Sequence, residues 1–474
     1  VKGPGDRPLA AFRQELPYRE IAPLALAFAR RGEAIAFLDS SADPATDAES
    51  RFSVLGWRPT RTIAWPVGRP GAIEGIRRFL GPPRLAPDPA SPVPYRGGFL
   101  GWIAYDIGRH VERLPSRLPV DPRVPDFVLA EFEALLVEDR RDRRLFFTGV
   151  CDPMEGPSRL FARQAEALEA FQRLRAEGAG ASAPHSDDAV VAAGGPHGSV
   201  VPRSDISRDV YLTRLSRVLS YIVAGDIFQA NLAHRFTAPL SAPVDELYRR
   251  LRTASPAPWG CLLRLGGPDV LSISPELFLA RTGEVVTTRP IKGTRPRGAD
   301  AAEDARLRAE LESSEKDRAE LAMIVDLLRN DLGRVARTGT VRVPVPREIR
   351  AHPTVFHSIA TVVAEVPRDV HAADLVAATM PGGSVTGAPK IRAMEILEEL
   401  EDVRRGPYCG SAGWFGYDGD LRLNILIRTL CVLDGAVSFH VGGGIVADSD
   451  PAAEHEETLV KARALIAALT GSGR

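Results

Sequence analysis

The sequence predicts an α+β protein built on antiparallel sheets. Three observations carry this reading. Segments of strand character come in adjacent pairs, not singly between helices, which disfavours a doubly wound parallel sheet. Helical patterns concentrate in the second half of the chain. The 474 residues, 44% hydrophobic and 26% charged, suffice for a sizeable core in a soluble globular protein.

The N-terminal region, residues 1–176, shows strand-like segments at Gly97–Tyr105, Val128–Val137 and Leu145–Val150, then a helix at Pro157–Arg175. The basic run Arg140-Arg141-Asp142-Arg143-Arg144 joins two apolar stretches and reads as a hairpin tip. An acid interrupts it and no aromatic stacking set accompanies it, so a nucleic-acid patch is disfavoured. Residues 177–204 are rich in Gly, Ala, Ser, Pro and His without apolar period, which predicts a flexible linker. The region 205–474 carries helical patterns at Arg208–Ala224, Val244–Thr253, Asp300–Glu312, Ser314–Leu332, Pro389–Glu401 and Pro451–Leu469. Strand patterns fall at Trp259–Leu265, Val270–Ser274, Gly413–Tyr417, Leu421–Leu433 and Val437–Val446.

A net charge of −1 gives no field toward nucleic acid or membrane. The cysteines at 151, 261, 409 and 431 form no C-x-x-C pair, so neither zinc nor a disulfide framework is indicated. Val1-Lys2-Gly3-Pro4-Gly5 lacks a signal-peptide core, and Arg30-Arg31-Gly32-Glu33 breaks the apolar stretch Ile21–Phe37. A reducing cytoplasm is the expected compartment.

Lysine is scarce: of 60 basic residues only Lys2, Lys292, Lys316, Lys390 and Lys461 are lysines. Arginine stays charged, whereas a lysine of lowered pKa can act as an amine nucleophile. Lys292, in Arg289-Pro290-Ile291-Lys292-Gly293-Thr294, is therefore a candidate for chemistry that arginine cannot do. Asp317 and Glu320 share a helix face, although Ser314-x-x-Asp317 also reads as a capping box. Glu454 and Glu457 lie on a helix opened by Asp450-Pro451, and Glu457 has the spacing to pair with Lys461. Two acidic pairs without His or Cys companions suit Mg²⁺. The loop from Pro381 through Gly382-Gly383-Ser384-Val385-Thr386-Gly387-Ala388 to Pro389-Lys390 reads as an anion cradle running into a helix. It is not a Walker loop, so a carboxylate suits it better than a nucleotide phosphate. Alternation along Leu421–Leu433 puts Arg428 on one face with Arg422 and Asn424, where it can meet a second carboxylate. Gly442-Gly443-Gly444 permits close approach of a ligand to backbone. His357 alone reads as a helix-face histidine.

Taken together, five motifs resemble the chorismate-utilising enzymes, which include anthranilate synthase and aminodeoxychorismate synthase components I and the isochorismate synthases. They are Pro-Ile-Lys-Gly-Thr around Lys292, Asp326-Leu327-Leu328-Arg329-Asn330-Asp331-Leu332-Gly333, Gly382–Lys390, Arg404-Arg405-Gly406-Pro407-Tyr408-Cys409-Gly410, and Gly442-Gly443-Gly444-Ile445-Val446-Ala447-Asp448-Ser449. The resemblance implies large antiparallel sheets packed face to face with helices outside. It implies Mg²⁺ held by Glu320 and Glu457, with Glu454 and Asp317 as second members of each pair. It places Tyr408, Arg428, Gly442 and Gly444 on the enolpyruvyl side of the substrate, and Ser384, Gly387, Ala388 and Lys390 on the ring-carboxylate side. It sets His357 near the ring and makes Glu276 the general acid. Gln229 falls where water-adding members carry a lysine base, which disfavours hydroxylation. Lys292 falls where anthranilate synthases carry alanine, and lysine there is the aminodeoxychorismate synthase pattern. The implied reaction is amination of chorismate at C4 by ammonia, giving 4-amino-4-deoxychorismate for 4-aminobenzoate and folate synthesis. Arg289 and Arg295 are candidates for keeping Lys292 neutral. No G-x-C-x-G-x-Q glutaminase elbow is present, so ammonia is expected from a separate glutamine amidotransferase. The alternative is anthranilate formation, or service to both pathways.

Overall fold

A computed structural model describes residues 7–180, 201–352 and 355–471. Among them, two antiparallel sheets of 12 and 10 strands form the frame. Each sheet draws strands from both ends of the chain. In the larger, Ile35–Asp39 pairs with Trp259–Arg264, Phe37 opposite Leu262. In the smaller, Gly98–Ile103 pairs with Ser411–Phe415, Trp102 opposite Ala412. Of the expected linker 177–204, residues 181–200 lie outside the described residues. Helix Ser158–Gly180 runs into its start, and Arg203–Ser204 pairs with strand Gln229–Pro239 at its end.

The sheets pack face to face, as the period of two along a strand dictates. In Ala134–Asp139, Leu135 and Val137 enter the core between the sheets with Trp102, Trp414 and Leu263. Ala134 and Leu136 face the other way, against Leu24 and Phe28 of helix Ala22–Arg30 and Leu465 of helix Pro451–Thr470. Each such side chain contributes about 1.5–3 kcal/mol on burial. Both strand faces are thus covered, and helices form the outer layers. No helix among the described residues is long and apolar enough to cross a membrane.

The Arg140–Arg144 run is a hairpin tip between paired strands Ala134–Asp139 and Arg144–Cys151. Two expected single strands are each two. Phe127–Phe132 lies in the smaller sheet and Ala134–Asp139 in the larger. Leu421–Asn424 likewise lies in the smaller sheet and Thr429–Leu433 in the larger. Both apolar runs cross between sheets, and neither Gly nor Pro marks the crossing: a single exposed residue, Glu133, stands at the first, and Ile425-Leu426-Ile427-Arg428 at the second. Arg428 therefore does not share a strand face with Arg422; it stands at the crossing with a left-handed φ of 51°. His357 lies on strand Val355–Glu365, not on a helix, because a run rich in Val, Ile and Thr suits a sheet buried on both faces.

Two helices carry acids to one region. Helix Glu315–Gly333 starts where the Ser314 hydroxyl accepts the Asp317 N–H at 3.2 Å. Its stripe Leu321, Ile324, Val325, Leu328 and Leu332 is buried. Helix Pro451–Thr470 starts where Asp450 accepts the Ala453 N–H at 2.8 Å, and ends at Gly471 with φ 68°. Its buried face holds Glu454, Thr458, Ala462 and Leu465.

Candidate active site

Lys292 sits in a register break. Strand Ile291–Pro296 pairs with Val355–Glu365 at Ile291 and again at Thr294, with the register shifted between. Gly293, at φ 84°, makes the bend, and such a bulge re-aims its neighbour's side chain. Asp317 packs so closely that a Cβ on Gly293 would lie 2.9 Å from its carboxyl. The Lys292 amine turns toward strand Ala436–Ile445, where a Cβ on Gly444 would meet Nζ at 3.0 Å. The same point lies 2.6 Å from Nε2 of Gln229. Gly444 is thus the floor on which the Lys292 amine and Gln229 amide meet. Pairing of strand Gln229–Pro239 with Gly444 on one side and Gly387–Ala388 on the other fixes Gln229 there. Gln229 is fully buried and both its amide atoms lack a protein partner. Buried unpaired amide atoms call for a ligand or water.

Glu276 lies where the chain passes from strand Asp269–Ser274 to Leu277–Thr282. The Ser384 hydroxyl donates to its carboxyl at 2.7 Å. Burial lifts the Glu276 pKa to about 7, against the Ser384 hydrogen bond, the Lys292 charge and the Ile291 backbone. Burial likewise pushes the Lys292 amine down; Glu320 opposes this and Lys461 adds to it. Burial thus disfavours the charged form of both groups. Arg289 and Arg295 do not supply the cation expected near Lys292. Arg289 is bound to Glu49, and Arg295 pairs with Glu310 at 2.6 Å and Asp317 at 3.2 Å. Lys461 takes that part, a role sequence spacing could show only as its pairing with Glu457.

That pairing is present at 2.8 Å, and Lys461 also donates to the Gly442 carbonyl at 2.9 Å. Lys316 stands 3.5 Å from Glu454, whose other partner is the Ser449 hydroxyl at 2.6 Å. Burial raises the Glu320 carboxyl; Lys292 and Lys316 oppose this, and the charges of Asp317 and Glu454 reinforce it. Partial desolvation also raises the Glu457 carboxyl, but Lys461 outweighs it and the pKa lies below the ordinary value. Among the described residues, no three His, Cys, Asp or Glu side chains converge as a ready metal cluster. The donor chemistry still fits Mg²⁺, which keeps several waters and takes only one or two carboxylates from a protein. Glu320 and Glu454 sense each other across the gap, and lysine ammonium groups supply the counter-charge. Asp317 is turned to Arg295 instead.

The opposite wall is built by two crossing turns. Cys409 (φ 61°) and Arg428 (φ 51°) both hold left-handed backbone, unusual away from glycine. The turns bind each other, Cys409 N–H to Leu426 O at 2.8 Å and Leu426 N–H to Gly410 O at 2.9 Å. Tyr408 stacks on His440 at 5.1 Å. Arg428 is half-buried, desolvation lowers its pKa, and it has no carboxylate partner among the described residues. A desolvated guanidinium without a protein anion is a receptor for one. His357 is buried, with Nδ1 3.0 Å from the Thr294 hydroxyl. Burial and then the Arg428 charge push its pKa well down, so the imidazole is neutral.

The glycine-rich loop departs from the cradle expected. Its Val385 N–H bonds Gly382 O at 3.3 Å, and the Thr386 hydroxyl donates to Gly382 O at 3.1 Å. Lys390 does not reach into it: Nζ donates to Asp331 at 2.6 Å and to the Thr379 carbonyl at 3.2 Å. That pair locks the helix start to the Asp326–Gly333 motif, the nearest carboxylate to a lysine otherwise buried. Ser384 is the loop residue turned to the site. Sequence reasoning also missed Arg405 and Glu401, a buried pair with Nε donating to Oε2 at 2.9 Å. Arg405 donates to the carbonyls of Val385 and Asn231, and Glu401 accepts the Ala233 N–H at 3.0 Å. The pair ties the loop to the strand of Gln229.

The chain is similar to known proteins in sequence and fold. The family model described as "chorismate binding enzyme" matches residues 54–467. Aminodeoxychorismate synthase component 1 of Klebsiella aerogenes is 40% identical over 435 residues, 89% of this chain and 91% of its own. Anthranilate synthase component 1 of Thermus thermophilus is 40% identical over 433 residues, 89% of each. The crystal structure of anthranilate synthase component I from Streptococcus pneumoniae superposes with a TM-score of 0.72 at 28% identity, covering 88% of this chain and 92% of that one. With the family's match spanning both sheets and every site residue from Gln229 to Glu457, the chain belongs to the chorismate binding enzymes.

Proposed function

We propose that the protein aminates chorismate at C4 with ammonia, forming 4-amino-4-deoxychorismate. The observation that carries this is the Lys292 amine. It is desolvated, beside Glu276, and 3.0 Å from the position a Gly444 side chain would take. By the resemblance described above, lysine at this position is the aminodeoxychorismate synthase pattern and alanine the anthranilate synthase one. The Lys292 nitrogen bonds C2 of the ring, the double bonds shift, and the C4–O bond breaks. Glu276 gives its proton to the departing hydroxyl, which leaves as water. Ammonia then bonds C4, the double bonds shift back, and the C2–N bond breaks, returning Lys292 as a free amine. The new C4 ammonium returns a proton to Glu276. Arg428 holds one substrate carboxylate. Glu320, Glu454 and Glu457 would hold Mg²⁺, which when bound neutralises the ring carboxylate and makes the ring more electrophilic. Gln229 cannot deprotonate water, so its amide orients the substrate instead of making isochorismate.

The test is Lys292→Ala, assayed with chorismate, Mg²⁺ and ammonium salt. Most aminodeoxychorismate formation should be lost, and intact-protein mass spectrometry of the wild type should show a substrate adduct absent from the variant. An unchanged rate would sink the covalent route. Anthranilate formation, by amination at C2 and loss of pyruvate, is the second reading, favoured by the equal identity of the Thermus thermophilus relative.

A further inference from the structure

We infer that His371 is a pH-sensitive clasp, joining the N-terminal region to the helix that leads into the Ser384 loop. The inference stands whichever product the enzyme forms. His371 is the N-cap of helix Ala372–Thr379. Its Nδ1 accepts the Ala373 N–H at 3.0 Å, and the Asp374 carboxylate accepts the His371 N–H at 3.1 Å in return. This is a capping box built with an imidazole in place of a hydroxyl. The other ring nitrogen, Nε2, donates to the Gly81 carbonyl at 2.9 Å. Gly81 closes helix Ala72–Leu80 with a φ of 64°. One imidazole thus satisfies a donor at the start of one helix and a carbonyl at the end of another, 290 positions apart.

The partners fix the proton. Nδ1 faces an N–H and must be bare, while Nε2 faces a carbonyl and must carry the hydrogen. Protonation sets N–H against N–H at Ala373 and removes the cap. The Ser207 and Ser314 hydroxyls that cap other helices have no such dependence. Charged groups surround the ring. On helix Ala72–Leu80, Arg77 binds the Asp374 carboxylate with both terminal nitrogens and reaches Glu74 at 3.3 Å. On strand Leu277–Thr282, Arg281 donates to the Val370 and Pro367 carbonyls at 2.6 and 2.8 Å, just before the cap. Burial lowers the His371 pKa below the ordinary 6.5; the Gly81 carbonyl opposes this, Arg77 adds to it, Asp374 opposes it and Arg281 adds to it. Burial raises the Asp374 carboxyl, but Arg77 outweighs it, so Asp374 keeps its charge while His371 titrates. Below the ordinary pKa of histidine the open clasp binds more protons than the closed one, and closure weakens as pH falls.

Position gives the clasp its reach. Ile76, Phe79 and Leu80 share one core with Leu375 and Val376. The helix ends at Thr379, whose carbonyl takes Lys390, and the chain continues to Ser384, whose hydroxyl bonds Glu276. Acid therefore loosens one end of the element whose other end sets Ser384 against Glu276.

The experiment is amide hydrogen exchange at about pH 7.5 and about pH 5, on wild type, His371→Asn and His371→Ala. Rates are expressed as protection factors, so that the intrinsic pH dependence of exchange cancels. Wild-type protection over 372–379 should fall about 5- to 30-fold on acidification, the range linkage allows for a histidine that is neutral when clasped. Asparagine accepts the same N–H at an N-cap and does not titrate, so His371→Asn should hold its protection. His371→Ala should be poorly protected at both values. Helix Arg208–Val223, capped by Ser207, is the internal control and should not change. Constant wild-type protection, an equal fall in His371→Asn, or an equal fall in the control helix would each overturn the clasp. Should His371→Ala fail to fold, wild type against His371→Asn decides alone.

Discussion

Replacing Glu276 with glutamine isolates the proton that the site retains. Desolvation lifts this carboxyl from the usual 4.5 to about 7, against the Ser384 hydroxyl, the Lys292 charge and the Ile291 backbone. The folded state therefore binds more protons than the unfolded chain between those two values. The stability this group contributes is fully present below about pH 4.5 and is lost as pH rises through about 7. A rise from 4.5 to about 7 corresponds to about 3 kcal/mol. Glutamine keeps the shape, and its carbonyl oxygen can still accept from Ser384, but it has no proton to lose. Urea unfolding at about pH 5 and about pH 8 should show the wild type losing roughly 2–3 kcal/mol more than Glu276→Gln. Turnover should report the same proton. The wild-type kcat should decline above about pH 7, and the variant should be slower by about 10²–10⁴-fold with no such limb. Equal stability changes in the two proteins would refute the idea that burial keeps Glu276 protonated.

Gly444→Ala should leave the urea midpoint close to wild type yet lower kcat/KM about 100-fold, because the new Cβ meets only the flexible ends of Gln229 and Lys292; a stability loss matching the activity loss would contradict this. Arg428→Gln should lower kcat/KM about 10- to 100-fold, mainly through KM, as expected for a cation whose anion is the substrate; an unchanged KM for chorismate would remove it from the site. Arg405→Met leaves Glu401 buried and unpaired, so it should cost about 3–5 kcal/mol in urea unfolding. The double variant Arg405→Met/Glu401→Leu should recover part of that loss, and no recovery would show that the carbonyl contacts matter more than the ion pair.

The helices of the second half were legible because their starts carry chemistry that a sequence displays. Ser207, Asp300, Ser314 and Asp450 each accept a backbone N–H at the first turn. Strand Gln229–Pro239 was not legible. Its first six residues are all buried, so no polar alternation marks it. The crossings at Glu133 and at 425–428 were hidden because neither carries the Gly or Pro that usually marks a turn. Motifs named the candidate site residues, since glycine clusters, acid pairs and a rare lysine stand out singly. Their convergence could not be read. Gln229, Lys292 and Gly444 are brought together by strand pairing across more than 200 residues of sequence. The ion pair of Lys390 was not legible for a related reason: its partner Asp331 lies 59 positions away. Lys461 showed only its local partner, Glu457, while its influence on Lys292 comes from the fold.

Product identification by mass-resolved chromatography is the most direct test of what the Lys292 amine does. The purified chain would be incubated with chorismate, Mg²⁺ and excess ammonium salt. 4-Amino-4-deoxychorismate should accumulate, with ammonia alone sufficient. Anthranilate and pyruvate in its place would mean that Lys292 does not decide where the nitrogen is placed.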